Sequence, residues 1–234
     1  MFRRVHLVAE ALRTHFGVPA LGNKRNPFNE LIYIILSSKT PGNRYQEAYA
    51  ALRKRYPRAD DLAEALPRSI QSTIRFAGLA KKRAFQIRAI AQRLRAEFGR
   101  VTLPPLARMD DATAERFLVS LPGVGLKMAR CVLMYSLDRP VFPVDNHCYR
   151  ICTRLGWADG RPWSKATANR LQGGIPPELR KPIHVGMVLL GREYCLPRSP
   201  RCLGCPLLKH CPTGKRVVAT SERVAHLEMV TVSF

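Results

Sequence analysis

Apolar residues recur at helical spacing along most of this chain. The clearest stripe occupies positions i, i+3, i+4, i+7 and i+11 of one segment: Ile87, Ile90, Ala91, Leu94 and Phe98. Clusters of Gly and Pro interrupt such segments, for example at 99–105 and 122–125. The strict alternation typical of strands is scarce before residue 216. The sequence therefore predicts an all-α protein built from many short helices.

The charge balance of the 234 residues limits the classes of partner. Lys and Arg number 39 against 17 Asp and Glu, a formal net charge of +22. With 46% hydrophobic and 24% charged residues, the composition is that of a globular protein rather than a disordered one. Such a charge excess opposes folding by self-repulsion unless a polyanion or local pairing offsets it. Nucleic acid is the usual polyanion, and an anionic membrane is the second candidate.

Membrane insertion and export have little support in the sequence. The longest wholly apolar run, Leu31–Leu36, is far too short to span a bilayer. The N-terminal segment has basic and then apolar residues, but Glu10 interrupts it and no small-residue cleavage site follows. We therefore expect a cytoplasmic protein, associated with the nucleoid if it is bacterial, and no membrane partner. The length suits one large domain or two small ones.

One segment concentrates positive charge. Residues 79–100 carry seven basic side chains and a single acidic one, Glu97. A solvated helix face would explain the arginines that lie off the apolar stripe, but such faces normally mix both signs. The bias favours contact with phosphates, and we expect Lys81, Lys82 and Arg83 to make it.

A proline- and glycine-rich turn separates two apolar helical segments. Its residues are Leu121, Pro122, Gly123, Val124 and Gly125. Proline ends the first helix, while the two glycines permit positive φ and the close approach of another backbone. The free N–H groups at the start of the next helix form a phosphate site, so Leu121 and Gly123–Gly125 are candidate DNA contacts. The alternative is an ordinary turn between helices.

Two residues near this turn carry candidate chemistry. Lys127 lies in the first turn of the following helix, where the helix dipole disfavours a cation and partial burial would lower its pKa. A neutral lysine amine can form a Schiff base, although a plain surface lysine on a phosphate is the alternative. Asp145 precedes another helical segment, so it is a candidate N-cap and also a candidate carboxylate facing Lys127. The two roles of Asp145 do not exclude each other.

Four of the seven cysteines form a compact pattern, C-x6-C-x2-C-x5-C: Cys195, Cys202, Cys205 and Cys211. Four thiolates in one loop can hold a tetrahedral zinc ion or a [4Fe–4S] cluster. Because zinc sites usually pair two close knuckles and only one close pair exists here, the spacing favours iron–sulfur. The loop between the first two cysteines carries Arg198 and Arg201, which could dock a DNA backbone.

Taken together, these features resemble the endonuclease III family, helix-hairpin-helix DNA glycosylase/AP lyases that carry an iron–sulfur cluster. The matching segments run from about residue 25 to residue 213: Asn26-Pro27-Phe28 with 31–37, Gly78-Leu79, 121–127, Val144-Asp145 with His147 and Arg150, Gly191-Arg192 and the four cysteines. The cysteine pattern occurring together with Leu-Pro-Gly-Val-Gly-x-Lys and Val-Asp-x-His makes the resemblance highly specific.

The resemblance implies two all-α domains with a DNA cleft between them. A six-helix domain over 23–133 would end in the helix-hairpin-helix. An iron–sulfur domain over 134–213 would be completed by an N-terminal helix within 1–22. The tail at 214–234 has no counterpart in the family, and its sequence is compatible with a strand, a helix or disorder.

The resemblance also implies the chemistry. Lys127 would be the nucleophile and Asp145 the catalytic carboxylate, with a [4Fe–4S] cluster on the four cysteines. The expected function is a base-excision-repair glycosylase with AP lyase activity by β-elimination. Its substrate would be double-stranded DNA containing damaged, oxidised pyrimidines or abasic sites, and it would act as a monomer on a nucleotide flipped out of the duplex.

Leu79, Lys39 and His147 are further candidate DNA contacts, with a packed or hydrogen-bonded helix residue as the alternative for His147. Leu79 matches a residue that wedges into the duplex, with core packing as the alternative. Lys39 replaces a glutamine that fills the gap left by the flipped base, and Gly42 replaces an acidic residue. A lysine cannot accept hydrogen bonds from the orphaned base, so base-pair preference should differ. Two alternatives follow: a divergent member acting mainly as an AP-site lyase or lesion-binding protein, or a non-enzymatic DNA-binding module.

Overall fold

The computed structural model describes residues 2, 4–17 and 19–231, without the side chains of Pro104 and of 222–231. All regular segments in this part of the chain are helical, which confirms the predicted all-α class. The α-helices in chain order are α1 Val5–Phe16, α2 Pro27–Ser37, α3 Arg44–Arg55, α4 Asp61–Glu64, α5 Pro67–Thr73, α6 Ala80–Phe98, α7 Asp111–Ser120, α8 Leu126–Leu137, α9 Asn146–Arg154, α10 Lys165–Gly174, α11 Pro177–Glu193 and α12 Pro212–Thr231. Two 3₁₀ helices, Pro104–Arg108 and Leu208–His210, complete the described elements.

The helices fall into two compact units. One comprises Met1–Leu21 with Pro140–Phe234, and the other comprises Gly22–Arg139. The second unit has seven α-helical segments among the described residues rather than the six that were expected, and α4 is a single turn. The boundary expected at residue 133 falls inside α8, which continues to Leu137, so this unit extends to Arg139.

Helix α2 forms the centre of the second unit. The side chain of Asn26 accepts a hydrogen bond from the backbone N–H of Asn29 at 3.0 Å, and Pro27 occupies the first turn, so the start of the helix is strongly specified. Its run from Leu31 to Leu36 is buried throughout. A helix that is apolar on all sides belongs in a core, and α2 packs against α3, α6 and α8.

In the first unit, α1 and α11 approach each other closely. Gly186 lies on α11 where an added Cβ would be 2.8 Å from the Cβ of Leu12 on α1, so only glycine fits this crossing without a shift. Helix α11 also packs against α9. The sequence left the structure of the tail at 214–234 open. Its described part is helical and belongs to α12, which begins at Pro212, directly after the last cysteine of the pattern. Among the described residues no helix is both long enough and apolar enough to cross a membrane.

The crossing of α1 and α11 predicts the cost of one truncation. Leu12 is 1% exposed, so Leu12→Ala should lower the free energy of unfolding by about 2–5 kcal/mol through lost burial and a residual cavity. Chemical unfolding followed by circular dichroism measures this. Leu7→Ala on the same helix is the matched control, because Leu7 is 51% exposed and its loss should change stability by less than about 0.5 kcal/mol. Equal effects of the two substitutions would contradict this packing of α1.

Candidate functional site

The glycine turn joins α7 to α8 as a tight hairpin. Gly123 has φ +67°, a left-handed conformation that favours glycine, and Val124 N–H donates to Leu121 O at 3.1 Å. The side chains of Leu121 and Val124 are buried, so the expected contact of these residues with DNA would be made by their backbone and stays a prediction. Their side chains anchor the turn in the core. Gly123 and Gly125 are exposed, which leaves their backbone as the surface that the hairpin offers.

Helix α6 holds the hairpin from one side. Gln86 donates from Nε2 to Pro122 O at 3.1 Å, and a Cβ on Gly123 would be 2.8 Å from the same Nε2. Glycine at 123 is therefore favoured by φ, and a larger residue there would have to displace the Gln86 amide from its hydrogen bond. Of the two glycines that permit positive φ, Gly123 uses it, whereas Gly125 has φ −94°.

Lys127 lies at the start of α8 and is half-buried. In α2, which packs against α8, the carboxylate of Glu30 is fully buried and accepts hydrogen bonds from Asn23 Nδ2 and Lys24 N, both at 2.5 Å. Burial raises the pKa of Glu30, while these hydrogen bonds and the positive charges of Lys24 and Lys127 oppose the rise. Lys127 therefore lies within electrostatic range of a buried carboxylate. Sequence reasoning missed Glu30, although a single acid inside an apolar run was a visible signal.

Asp145 lies in the other unit, at the start of α9. Its Oδ1 accepts a hydrogen bond from Cys148 N at 2.8 Å, so the N-cap role considered for it is present. The segment that leads to it, Val141–Val144, is buried, and His184 contacts the Pro143 carbonyl through Nδ1 at 2.9 Å. The Asp145 carboxylate thus lies at the start of α9, and the buried segment Val141–Val144 fixes its position.

His147 packs on the last turns of α11. Gly191 lies beneath it, where an added Cβ would be 2.7 Å from His147 Cβ, and Arg150 Nη2 contacts His147 Nδ1 at 3.1 Å. Burial lowers the pKa of His147, and the charge of Asp145 opposes that effect. His147 therefore connects the capped start of α9 to α11. That His147 contacts DNA stays a prediction.

All four cysteines of the pattern line a single cavity, together with Arg154, Tyr194, Pro200, Leu208, Thr213 and Gly214. Among the described residues, no three His, Cys, Asp or Glu side chains form a group that could hold a metal ion. The four thiols nevertheless share one cavity. Burial raises the pKa of Cys205 to about 11, so a thiolate there needs a compensating cation.

Two arginines of α9 hold the loop that begins at Cys195. Arg154 donates from Nη1 to Cys195 Sγ at 3.0 Å and to Leu196 O at 2.8 Å. Arg150 donates from Nε to Cys195 O at 2.8 Å. Sequence reasoning missed Arg154, although two arginines four residues apart share a helix face. Exposed Arg198 and Arg201 lie on the loop that this pair supports.

The remaining candidate DNA contacts lie on two turns and the start of α6. Leu79 has φ +58° and is 56% exposed, so core packing is excluded. Lys39 has φ +54° and is exposed, as are Lys81 and Lys82. Arg83 differs: it is only 3% exposed and its guanidinium points inward, which contradicts the expected phosphate contact.

Comparisons with known proteins agree with this geometry. A profile of the HhH-GPD superfamily of base excision DNA repair proteins matches residues 32–177. Endonuclease III from Thermotoga maritima is 33% identical over 198 residues, covering 85% of this chain and 88% of that protein. Endonuclease III from Bacillus subtilis is 28% identical, covering 82% and 83%. A solved structure of a trapped covalent intermediate between endonuclease III and DNA superimposes with a TM-score of 0.80 at 26% identity, covering 93% of this chain and all of that one.

The contact between Gly191 and His147 predicts a substitution effect. Gly191→Ala should lower stability by about 1–3 kcal/mol, because its methyl group must displace His147 at the start of α9. Thermal unfolding measures the loss. Gly173→Ala is the matched control: this glycine also lies in a helix, but nothing is within 4 Å of an added Cβ, so stability should hold or rise. A neutral Gly191→Ala would show that His147 is not held there.

Proposed function

We propose a function for this chain from one premise, that the chain belongs to the HhH-GPD superfamily of base excision DNA repair proteins. It is a base excision repair glycosylase of the endonuclease III type. Beyond this, we propose a bifunctional enzyme that removes damaged, oxidised pyrimidines from double-stranded DNA and then cleaves the abasic site. The observation that carries the proposal is Lys127, a half-buried amine at the start of α8, directly after an exposed glycine hairpin.

Each part of this unit has a role in the proposed reaction. The exposed backbone of Gly123 and Gly125 and the N–H groups at the start of α8 bind phosphate without reading bases. With the damaged nucleotide flipped out, Lys127 Nζ attacks C1′ and the bond from C1′ to the base breaks, so the base leaves with the electron pair. The trapped covalent complex with DNA known for endonuclease III supports a covalent route.

The lyase step follows from the same adduct. Opening of the sugar ring gives an imine between Nζ and C1′, which makes the C2′ proton acidic. Loss of that proton expels the 3′ phosphate, and water later releases Lys127. We assign Asp145 the proton transfer from the lysine and the stabilisation of positive charge on the sugar. Its position at a capped helix end keeps the carboxylate oriented.

We propose that Cys195, Cys202, Cys205 and Cys211 hold a [4Fe–4S] cluster. Four thiols lining one cavity match a group with four cysteine ligands, and the Arg154 guanidinium beside Cys195 suits a thiolate. When bound, the cluster supplies a rigid cross-link for the loop, with all four ligand positions taken by protein. The loop then presents Arg198 and Arg201 to a phosphate backbone.

We propose as DNA contacts those candidate residues whose side chains are exposed. Side chains at Lys39, Leu79, Lys81, Lys82, Arg198 and Arg201 are exposed, and His147 stays a weaker candidate because it is half-buried. We propose a monomer acting on duplex DNA with damaged bases or abasic sites, in the compartment that holds the chromosome. A second candidate, an enzyme that acts mainly as an AP-site lyase, is favoured by Lys39 and Gly42, since neither can accept a hydrogen bond through its side chain.

Borohydride trapping tests the nucleophile. Wild-type protein should form a covalent adduct with an abasic duplex, and Lys127→Ala should lose it, because the variant lacks the amine proposed to attack C1′. Lys165→Ala is the matched control, since Lys165 is also in the first turn of a helix but exposed. An adduct that persists in Lys127→Ala contradicts the assignment. Trapping on abasic duplex but not on duplexes with oxidised pyrimidines would favour the second candidate.

Iron content tests the cluster. Protein purified without oxygen should be brown, absorb near ~400 nm and contain about four iron atoms per chain. Cys202→Ser should lose most of this iron, while Cys131→Ala, at a buried cysteine of the other unit, should keep it. A colourless protein with one zinc ion per chain would rule out the cluster.

A further inference from the structure

Arg83 is a buried cation that directly follows two exposed lysines in the basic segment 79–100. Its neighbours Lys81 and Lys82 are exposed, whereas Arg83 is 3% exposed. Its Nη1 donates to Leu36 O and to Thr40 Oγ1, both at 2.7 Å. Leu36 O is one of the last carbonyls of α2, where the helix dipole favours a positive charge. Arg83 thus joins the start of α6 to the end of α2.

The same hydrogen bonds fix the turn that carries Lys39. Thr40 Oγ1 also donates to Leu36 O at 2.7 Å, so Arg83, Thr40 and Leu36 form a closed triangle. Lys39 lies inside this loop, exposed and at φ +54°, a conformation unfavourable for a lysine. The triangle therefore holds the backbone on the C-terminal side of this strained residue.

The turn that carries Leu79 rests directly on the Lys39 turn. An added Cβ on Gly78 would be 2.8 Å from Lys39 O, so the two backbones are in close contact. Leu79 precedes α6 at φ +58°, and its carbonyl accepts from Arg83 N at 3.0 Å. Arg83 is thus bonded through its backbone to one turn and through its side chain to the other.

Burying the Arg83 guanidinium costs more free energy than burying an apolar side chain of the same size would. Burial lowers the pKa of Arg83, which reflects the cost of desolvating its charge. Its partners among the described residues are a carbonyl and a hydroxyl rather than a carboxylate, and Nη2 has no hydrogen-bond partner in that part of the chain. An apolar side chain would fill the same volume at lower cost. A role in position accounts for the charge better than a role in stability.

We propose that Arg83 is a positioning residue that locks the Lys39 turn and the Leu79 turn into one preformed element that enters the duplex at a damaged site. The inference rests on the proposed function. A preformed element loses less conformational entropy when it binds than two independent turns do, so the lock favours lesion-containing DNA. Arg83 itself does not neutralise phosphate, unlike Lys81 and Lys82.

The test compares binding to a duplex carrying a stable abasic-site analogue with binding to the undamaged duplex, by fluorescence anisotropy over a range of salt. Arg83→Met should reduce the preference for the abasic duplex by about tenfold, the cost of lost charge-assisted hydrogen bonds. The salt dependence of binding to undamaged DNA should not change. Lys82→Met should do the reverse, keeping the preference and lowering the salt slope by about 0.9.

Controls separate the lock from folding and from general charge. Arg95→Met removes the same charge from an exposed site on α6, where Arg95 pairs with Glu64, and should change neither quantity. Thr40→Val removes the hydroxyl that accepts from Arg83, and it should also reduce the preference for the abasic duplex. If thermal unfolding shows that Arg83→Met is not folded, Thr40→Val is the variant that tests the lock. Arg83→Lys, which keeps one charged donor, should restore part of it.

Three outcomes would overturn the proposal. If Arg83→Met or Thr40→Val is folded and keeps the wild-type preference for the abasic duplex, the lock is ruled out, while the proposed function is unaffected. A salt slope lowered by Arg83→Met as much as by Lys82→Met would make Arg83 a phosphate contact. A wild-type protein with no preference for the abasic duplex would remove the proposed function, and the lock with it.

Discussion

The burial of α2 from Glu30 to Leu36 is the constraint on which the second unit depends. A helix end leaves carbonyl or N–H groups unpaired, and inside a protein each of these costs free energy unless it finds a partner. At its start, Asn26 caps the helix and Glu30 accepts hydrogen bonds from the chain that leads into it. At its end, Leu36 O receives Thr40 and Arg83. The conformations of both flanking loops therefore depend on the hydrogen bonds that satisfy the ends of α2.

This requirement brings the candidate site residues of the second unit onto one reference element. The Lys39 turn follows the end of α2 directly, and the Leu79 turn rests on it through Gly78. The nucleophile candidate Lys127 begins α8, which packs on the same helix. A core helix with satisfied ends moves little, so groups that must act together on one nucleotide gain fixed relative positions from it. In the proposed function, the hydrogen bonds that satisfy the end of α2 also fix the Lys39 turn.

Periodicity and spacing were sufficient for the helices and for the cavity lined by four cysteines, because both are set by short-range pattern. They were not sufficient to predict which side chains point into the core and which point to solvent. Arg83 lies four residues before Ile87 and so continues the apolar stripe of α6, yet the surrounding charge run suggested an exposed residue. Leu121 and Val124 belong to a motif associated with DNA, but only its backbone faces outward. A motif identifies a segment, whereas burial depends on packing partners distant in sequence.

The net charge of +22 acquires a different meaning once side-chain partners are known. With only 17 acids, many arginines find carbonyls instead: Arg83 at Leu36, Arg150 at Cys195 and Gly191, Arg139 at Met109. The planar guanidinium can cross-link loops in this way, while a lysine cannot match its geometry. Bonds to carbonyls leave the charge uncancelled, so these arginines still add to the long-range field that attracts DNA. We propose that they raise the rate of encounter with DNA without contacting it, and that the exposed lysines and loop arginines make the contacts.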